Sequence, residues 1–109
     1  LLNIPLFEWV IENLCKNAVD AMEGRGVLTV QMSETPNYVV VDVTDTGKGI
    51  SKSNVSKVFN TGFTTKKRGW GLGLSLSRRI IKEYHGGKIY VKHSQIDKGT
   101  TFSIELKKK

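Results

Sequence analysis

Glu12-Asn13-Leu14-Cys15-Lys16-Asn17-Ala18-Val19-Asp20-Ala21-Met22 reads as the second half of an amphipathic helix with a polar border. Asn13, Asn17 and Asp20 stand four and three residues apart. On a helix of about 3.6 residues per turn this gathers them into a sector roughly 60° wide. Phe7, Val10, Ile11, Leu14, Ala18 and Ala21 fill the adjoining sector. Two amides and a carboxylate therefore run along the edge of an apolar face, where a helix resting on a sheet would hold a polar ligand.

Working outward, Pro5 suits the first turn of that helix, and Gly24 and Gly26 end it after about Met22. Val27 to Met32 and Tyr38 to Val43 read as strands joined through Glu34-Thr35-Pro36-Asn37. In the first, Leu28, Val30 and Met32 alternate with polar or smaller residues. The second, Tyr38-Val39-Val40-Val41-Asp42-Val43, is rich in β-branched residues and is expected at the centre of a sheet. Ser51 or Ser53 is placed to cap a short helix ending near Phe59. A later helix shows Leu76, Ile80 and Tyr84 at four-residue spacing, with Ile81 beside them, and stops at Gly86-Gly87. Lys88 to His93 and Thr100 to Leu106 alternate like two further strands. No repeat or second domain is visible. The order predicts one α+β domain over 1–109, a two-layer α/β sandwich with helices on one face of a mixed sheet.

Composition narrows the class. With 109 residues, 39% hydrophobic and 25% charged, the chain has enough apolar material for a modest core and is not of disordered type. No apolar run reaches bilayer-spanning length, and Leu1-Leu2-Asn3-Ile4-Pro5 does not read as a signal peptide. The absence of an initial Met leads us to expect a segment of a longer protein. Cys15 is the one cysteine. It has no disulfide partner and no zinc-type cluster around it, so a cytoplasmic setting and a buried structural role are expected. The net charge of +7 points to an anionic partner without choosing among phosphates, nucleic acid and acidic protein.

Two glycine-rich stretches carry further chemistry. Asp45-Thr46-Gly47-Lys48-Gly49-Ile50 follows the apolar strand. A carboxylate there can accept from an exocyclic amine, while the glycines admit a flat ring close to the backbone; an ordinary Asx-type turn is the alternative. Gly69-Trp70-Gly71-Leu72-Gly73-Leu74 opens a helix, whose N-terminus favours phosphate. It is not the dinucleotide fingerprint, because polar Thr64 to Arg68 precede it instead of a strand, and no P-loop occurs. Lys66, Lys67 and Arg68 are within reach of a polyphosphate or form a solvated surface run. Asn13 and Asn17 offer neutral oxygens one turn apart, which can help hold a Mg²⁺ ion that leans on substrate phosphates, or they bridge local backbone only.

Together and in this order the stretches resemble the nucleotide-binding fold shared by sensor histidine kinases, DNA gyrase, the Hsp90 chaperones and MutL. Asn13-Leu14-Cys15-Lys16-Asn17-Ala18 is similar to the N box, Asp45 to Ile50 to the G1 box, and Phe59 to Lys66 to the F box and start of the ATP lid. Gly71-Leu72-Gly73-Leu74 is similar to the G2 box, and Gly99-Thr100-Thr101-Phe102 to the final-strand signature. The resemblance covers nearly the whole chain and implies a Bergerat-type sandwich with a short lid, binding ATP with Mg²⁺.

By that resemblance Asn13 and Asn17 help hold Mg²⁺ and the phosphates, with Asp20 at the same border. Asp45 accepts from the adenine amine with Gly47, Gly49 and Ile50 beside it, and Thr100 supports Asp45. Thr64, Thr65, Lys66, Gly69, Gly71, Leu72, Gly73 and Leu74 form the lid and phosphate cradle. Asn13 selects the branch: ATPases of the fold carry a glutamate there to activate water, and an amide cannot act as a base. Glu12 lies about 100° away around the helix and is expected to face solvent, with a role toward the acceptor left open. The implied activity is transfer of the γ-phosphoryl group to a histidine on a separate phosphoacceptor and dimerisation domain of the same protein, serving a downstream response regulator. No nucleic acid and no membrane contact are expected.

Three departures accompany the resemblance. Asp20 lies where many kinases have a lysine, and Ala21 where many have His, Tyr or Phe; Lys66 or Arg68 would supply the cation instead. The strand that usually precedes the first helix is absent, so the sheet is expected to lack one strand. His85 and His93 are not followed by the acidic residue typical of an acceptor histidine, so the chain is not expected to phosphorylate itself. An ATPase or anti-sigma-factor-type serine kinase of the same fold, and a basic nucleic-acid-binding module, are the alternatives.

Overall fold

The computed structural model describes residues 4–59 and 73–107. The elements are α1 (Ile4–Ala21), β1 (Thr29–Glu34), β2 (Tyr38–Asp45), α2 (Lys52–Val55), α3 (Gly73–His85), β3 (Lys88–Gln95) and β4 (Gly99–Lys107). The strands lie in the order β1-β2-β4-β3, with α1 and α3 packed on one face. This is the expected two-layer sandwich, with β2 in the interior of the sheet.

The sheet is not mixed: every described pairing is antiparallel. The reason lies in the hairpin made by β3 and β4. The crossover through α3 does bring β3 back in the direction of β2, but β4 folds over and inserts between them, so among the described residues no two parallel strands touch.

The core sits between the helices and β2-β4-β3. Val10 and Leu14 of α1 and Ile80 and Ile81 of α3 close on Val41, Val43, Ile89, Phe102 and Ile104. Phe59, at the end of the turn after α2, meets Phe102 edge to face at 6.0 Å and 89°, a favoured aromatic geometry. α1 ends as its glycines require: Gly24 takes a φ of 78° and donates its N–H to the Val19 carbonyl at 3.1 Å. α3 ends likewise, with Gly86 at φ 60° and Gly87 donating to the Ile81 carbonyl at 3.0 Å.

Four local expectations shift. The first strand runs two residues later than expected. The Val27 N–H leaves the ladder for Thr46 Oγ1 at 3.0 Å, while Thr35 N–H bonds the Tyr38 carbonyl at 2.8 Å and extends the hairpin to Glu34. Its apolar residues are uncovered: Val30 and Met32 pair with Val43 and Val41 and so share the helix-side face, yet are 48% and 72% exposed. α2 is a single turn, and the Ser51 hydroxyl lies 3.2 Å from Ser53 Oγ and does not cap it. On α3 the inward face is Ser77, Ile80 and Ile81, whereas Leu76 is 42% exposed. The four-residue row therefore holds at Ile80 and fails at Leu76, whose place inside is taken by Ser77. Among the described residues no helix is long and apolar enough to cross a membrane.

Candidate functional site

The polar stripe of α1 runs outward from the core. Asn13 is buried at 8% exposure, Asn17 is half-buried and Asp20 is exposed. Glu12 is exposed, as its helical angle requires. Asn13 lies deep because α3 packs directly across α1, and its Nδ2 donates to Ser77 Oγ at 3.2 Å. Cys15 is half-buried, and burial raises its thiol above the ordinary value, so it is not an activated nucleophile.

The turn after β2 is seated on the end of this stripe. Lys48 N–H donates to the Ala21 carbonyl at 3.1 Å. Gly47 is required by that approach, because a Cβ there would lie 2.6 Å from the Ala21 carbonyl carbon and oxygen. On the other side the β3–β4 hairpin closes the turn. Ile50 N–H donates to Ser94 Oγ at 2.8 Å, and Asp97 N–H to the Lys48 carbonyl at 2.9 Å. Gly49 answers the same need, since its Cβ would meet the Gln95 carbonyl oxygen at 2.2 Å. The two glycines thus make room for protein backbone on their Cβ sides, a packing role that the ring-approach reading did not include.

Asp45 lies at the centre, 4% exposed. The Gly47 N–H donates to its Oδ1 at 2.8 Å, so the Asx-type turn and a buried acceptor coexist in one residue. Burial pushes the Asp45 carboxyl above the usual carboxylate range, against the opposing backbone donors of Gly47 and Thr100. Thr100, its ladder partner, is equally buried, and its Oγ1 is 2.8 Å from Ser94 Oγ. Asp45, Gly47, Gly49, Ile50 and Thr100 are brought together, and Ala21 joins them to the helix bearing Asn13, Asn17 and Asp20.

Gly73 opens α3, and Leu74 packs on the core. Thr64, Thr65, Lys66, Gly69, Gly71 and Leu72 lie outside the described residues. Two participants were missed in the sequence, Ser77 and Ser94. A serine in step with Ile80 and Ile81 on an inward helical face is a legible signal. Ser94, a hydroxyl in an ordinary strand, gives none.

The donor set fits a magnesium ion only in company. Among the described residues no group of three His, Cys, Asp or Glu is placed to hold a metal. Asn13 and Asn17 supply neutral oxygens alone, which suits Mg²⁺ arriving with the phosphates that neutralise it.

The described residues thus form an α/β sandwich in which the glycine turn after a buried strand-end carboxylate bridges an amide-bearing helix and a hairpin. The chain belongs to the Histidine kinase-, DNA gyrase B-, and HSP90-like ATPase family, whose model matches residues 3–109. It is 44% identical to sensor histidine kinase ZraS of Escherichia coli over 97 residues, covering 89% of this chain and 20% of that protein. It is 34% identical to sporulation kinase C of Bacillus subtilis, covering 89% of this chain and 22% of that one. The chain thus spans about a fifth of the length of these relatives. Among solved structures, the catalytic domain of histidine kinase ThkA superposes with a TM-score of 0.84 at 34% identity, over 97% of this chain and 68% of that one. The mycobacterial sensor histidine kinase MprB shares the fold, with a TM-score of 0.87 at 23% identity over 98% of this chain and 75% of that one.

Proposed function

We propose that residues 1–109 form the catalytic ATP-binding domain of a two-component histidine kinase. It binds Mg²⁺-ATP and donates the γ-phosphoryl group to a histidine on the phosphoacceptor and dimerisation domain of the same protein, in the cytoplasm, for relay to a response regulator. The observation that carries this reading is Asn13. At the buried helix position where hydrolases of the fold need a base stands an amide whose nitrogen is bonded to Ser77, while the Glu12 side chain is exposed. An amide cannot take a proton from water. Catalysis then rests on positioning and on neutralising phosphate charge.

In this reading Asp45 receives the adenine amine, backed by Gly47, Gly49, Ile50 and Thr100. Asn13 and Asn17 face the triphosphate end and its magnesium ion, which supplies charge neutralisation when bound, and Asp20 lies at the rim. Thr64, Thr65, Lys66, Gly69, Gly71, Leu72, Gly73 and Leu74 are assigned to the lid and phosphate cradle by resemblance.

The test is calorimetric ATP binding, followed by transfer of labelled γ-phosphate to the phosphoacceptor domain supplied separately. Asp45→Ala is expected to weaken ATP binding about ten- to a hundredfold, the effect of about 1.5–3 kcal/mol from a hydrogen bond to a charged group. Steady ATP hydrolysis by the chain alone, abolished by Glu12→Gln, would establish an ATPase in place of a kinase domain.

A further inference from the structure

We infer that Ser77 is a positioning residue for Asn13, holding its amide against α3 so that the other end of the amide faces the nucleotide. This rests on the proposed role of Asn13 toward Mg²⁺-ATP. An asparagine amide has an acceptor end and a donor end of nearly equal size, and only the oxygen can face a cation or its hydration shell. Asn13 Nδ2 donates to Ser77 Oγ at 3.2 Å, across 64 positions of sequence and between two packed helices. That bond turns the nitrogen toward α3 and leaves Oδ1 on the opposite side of the amide.

Ser77 is fitted for this task. It is 0% exposed, on a helical face otherwise made of Ile80, Ile81 and the partly buried Leu74. A hydroxyl in that setting is unfavourable unless it is bonded. An alanine would complete the apolar face, but it would leave the Asn13 amide without its anchor on α3. Ser77 also lies four residues after Gly73, on the helix that follows the G2 stretch. The amide of α1 is thereby oriented by the element that leads out of the phosphate-binding segment.

The experiment measures ATP affinity with Mg²⁺ and with chelator, and takes their ratio. Ser77→Ala is expected to lower the ratio about tenfold, the scale of one buried hydrogen bond. Ser77→Cys, close in volume but a weak acceptor, lowers it similarly and guards against a packing artefact, while Ser77→Thr restores it. In an Asn13→Ala background Ser77→Ala has no further effect on the ratio. A Ser77→Ala or Ser77→Cys chain that remains folded by circular dichroism and keeps the wild-type ratio, while Asn13→Ala lowers it, overturns the positioning role and leaves the reading of Asn13 standing. An unchanged ratio in Asn13→Ala overturns both. A Ser77→Ala effect equal with and without Mg²⁺ reduces the bond to a structural one and also overturns the proposal.

Discussion

Ile50 donates its backbone N–H to Ser94 Oγ at 2.8 Å, joining the glycine turn after β2 to the β3–β4 hairpin. The same hydroxyl donates to the Gly99 carbonyl at 3.3 Å and lies 2.8 Å from Thr100 Oγ1. One donor and two lone pairs are all that a serine hydroxyl has. With Thr100 donating, Ser94 is fully used, holding both sides of Asp45 at once. Ser94→Ala leaves the Ile50 N–H without this acceptor and is expected to lower stability by about 1–3 kcal/mol, with a matching loss of ATP affinity. The exposed Ser53→Ala should stay within about 0.5 kcal/mol of wild type. Urea midpoints of the two variants decide it, and equal midpoints would remove Ser94 from the site's support.

Gly99 packs tightly against the Asp45 backbone. Its φ is 124°, and a Cβ would lie 2.0 Å from the Asp45 carbonyl oxygen. Gly24, at φ 78°, has nothing within 4 Å of its Cβ position. Gly24→Ala should therefore carry only the left-handed conformational penalty of about 1 kcal/mol. Gly99→Ala adds a steric overlap that must push β4 away from β2, with an expected loss of about 3 kcal/mol or more. Thermal midpoints in the same buffer compare them, and a Gly99 variant no worse than Gly24→Ala would contradict the packing described.

The helices cover β2, β4 and β3 and leave the apolar side chains of β1 exposed. Ile104 is 0% exposed and Met32 is 72% exposed, although both are apolar residues in strands. Ile104→Ala should destabilise by about 2–5 kcal/mol through transfer and cavity terms, and Met32→Ala by less than about 0.5 kcal/mol. Comparable losses at the two positions would mean that β1 is covered in solution.

The sandwich was legible because its signals are periodic: a helix with one polar border, a β-branched strand, and glycines where chains cross closely. Asp45, Gly47 and Thr100 were legible as parts of ordered motifs. The antiparallel pairing throughout the sheet was not, because strand order depends on where β4 inserts, and nothing local to β4 encodes that. The inward face of α3 was misjudged at Leu76 because side-chain size suggested burial there, whereas the packing put Ser77 inside as a seat for Asn13. Ser94 was invisible for a related reason: its value comes from three groups, in Ile50, Gly99 and Thr100, that only the folded chain assembles.

In the proposed function Asp45 sets stability against binding. Burial raises its carboxyl above the ordinary value, so the native chain keeps a proton at pH values where the unfolded chain has released it. Unfolding stability then falls as pH rises through that window, and above it the ionised Asp45 leaves the native state less stable than a neutral side chain would. An adenine amine bound at Asp45 as proposed would have the opposite preference, because the ionised carboxylate is the stronger acceptor. Asp45→Asn keeps an oxygen for the Gly47 N–H. At neutral pH it should hold or raise the thermal midpoint of the nucleotide-free chain while weakening ATP binding roughly tenfold or more. In the wild type, acidification should begin to weaken ATP binding at a pH above the ordinary carboxylate range, with the component due to Asp45 missing from the Asn variant. Scanning calorimetry and ATP titrations across pH on both chains provide the check. A less stable Asp45→Asn chain with unchanged ATP affinity would remove Asp45 from the binding site and assign it to the fold alone.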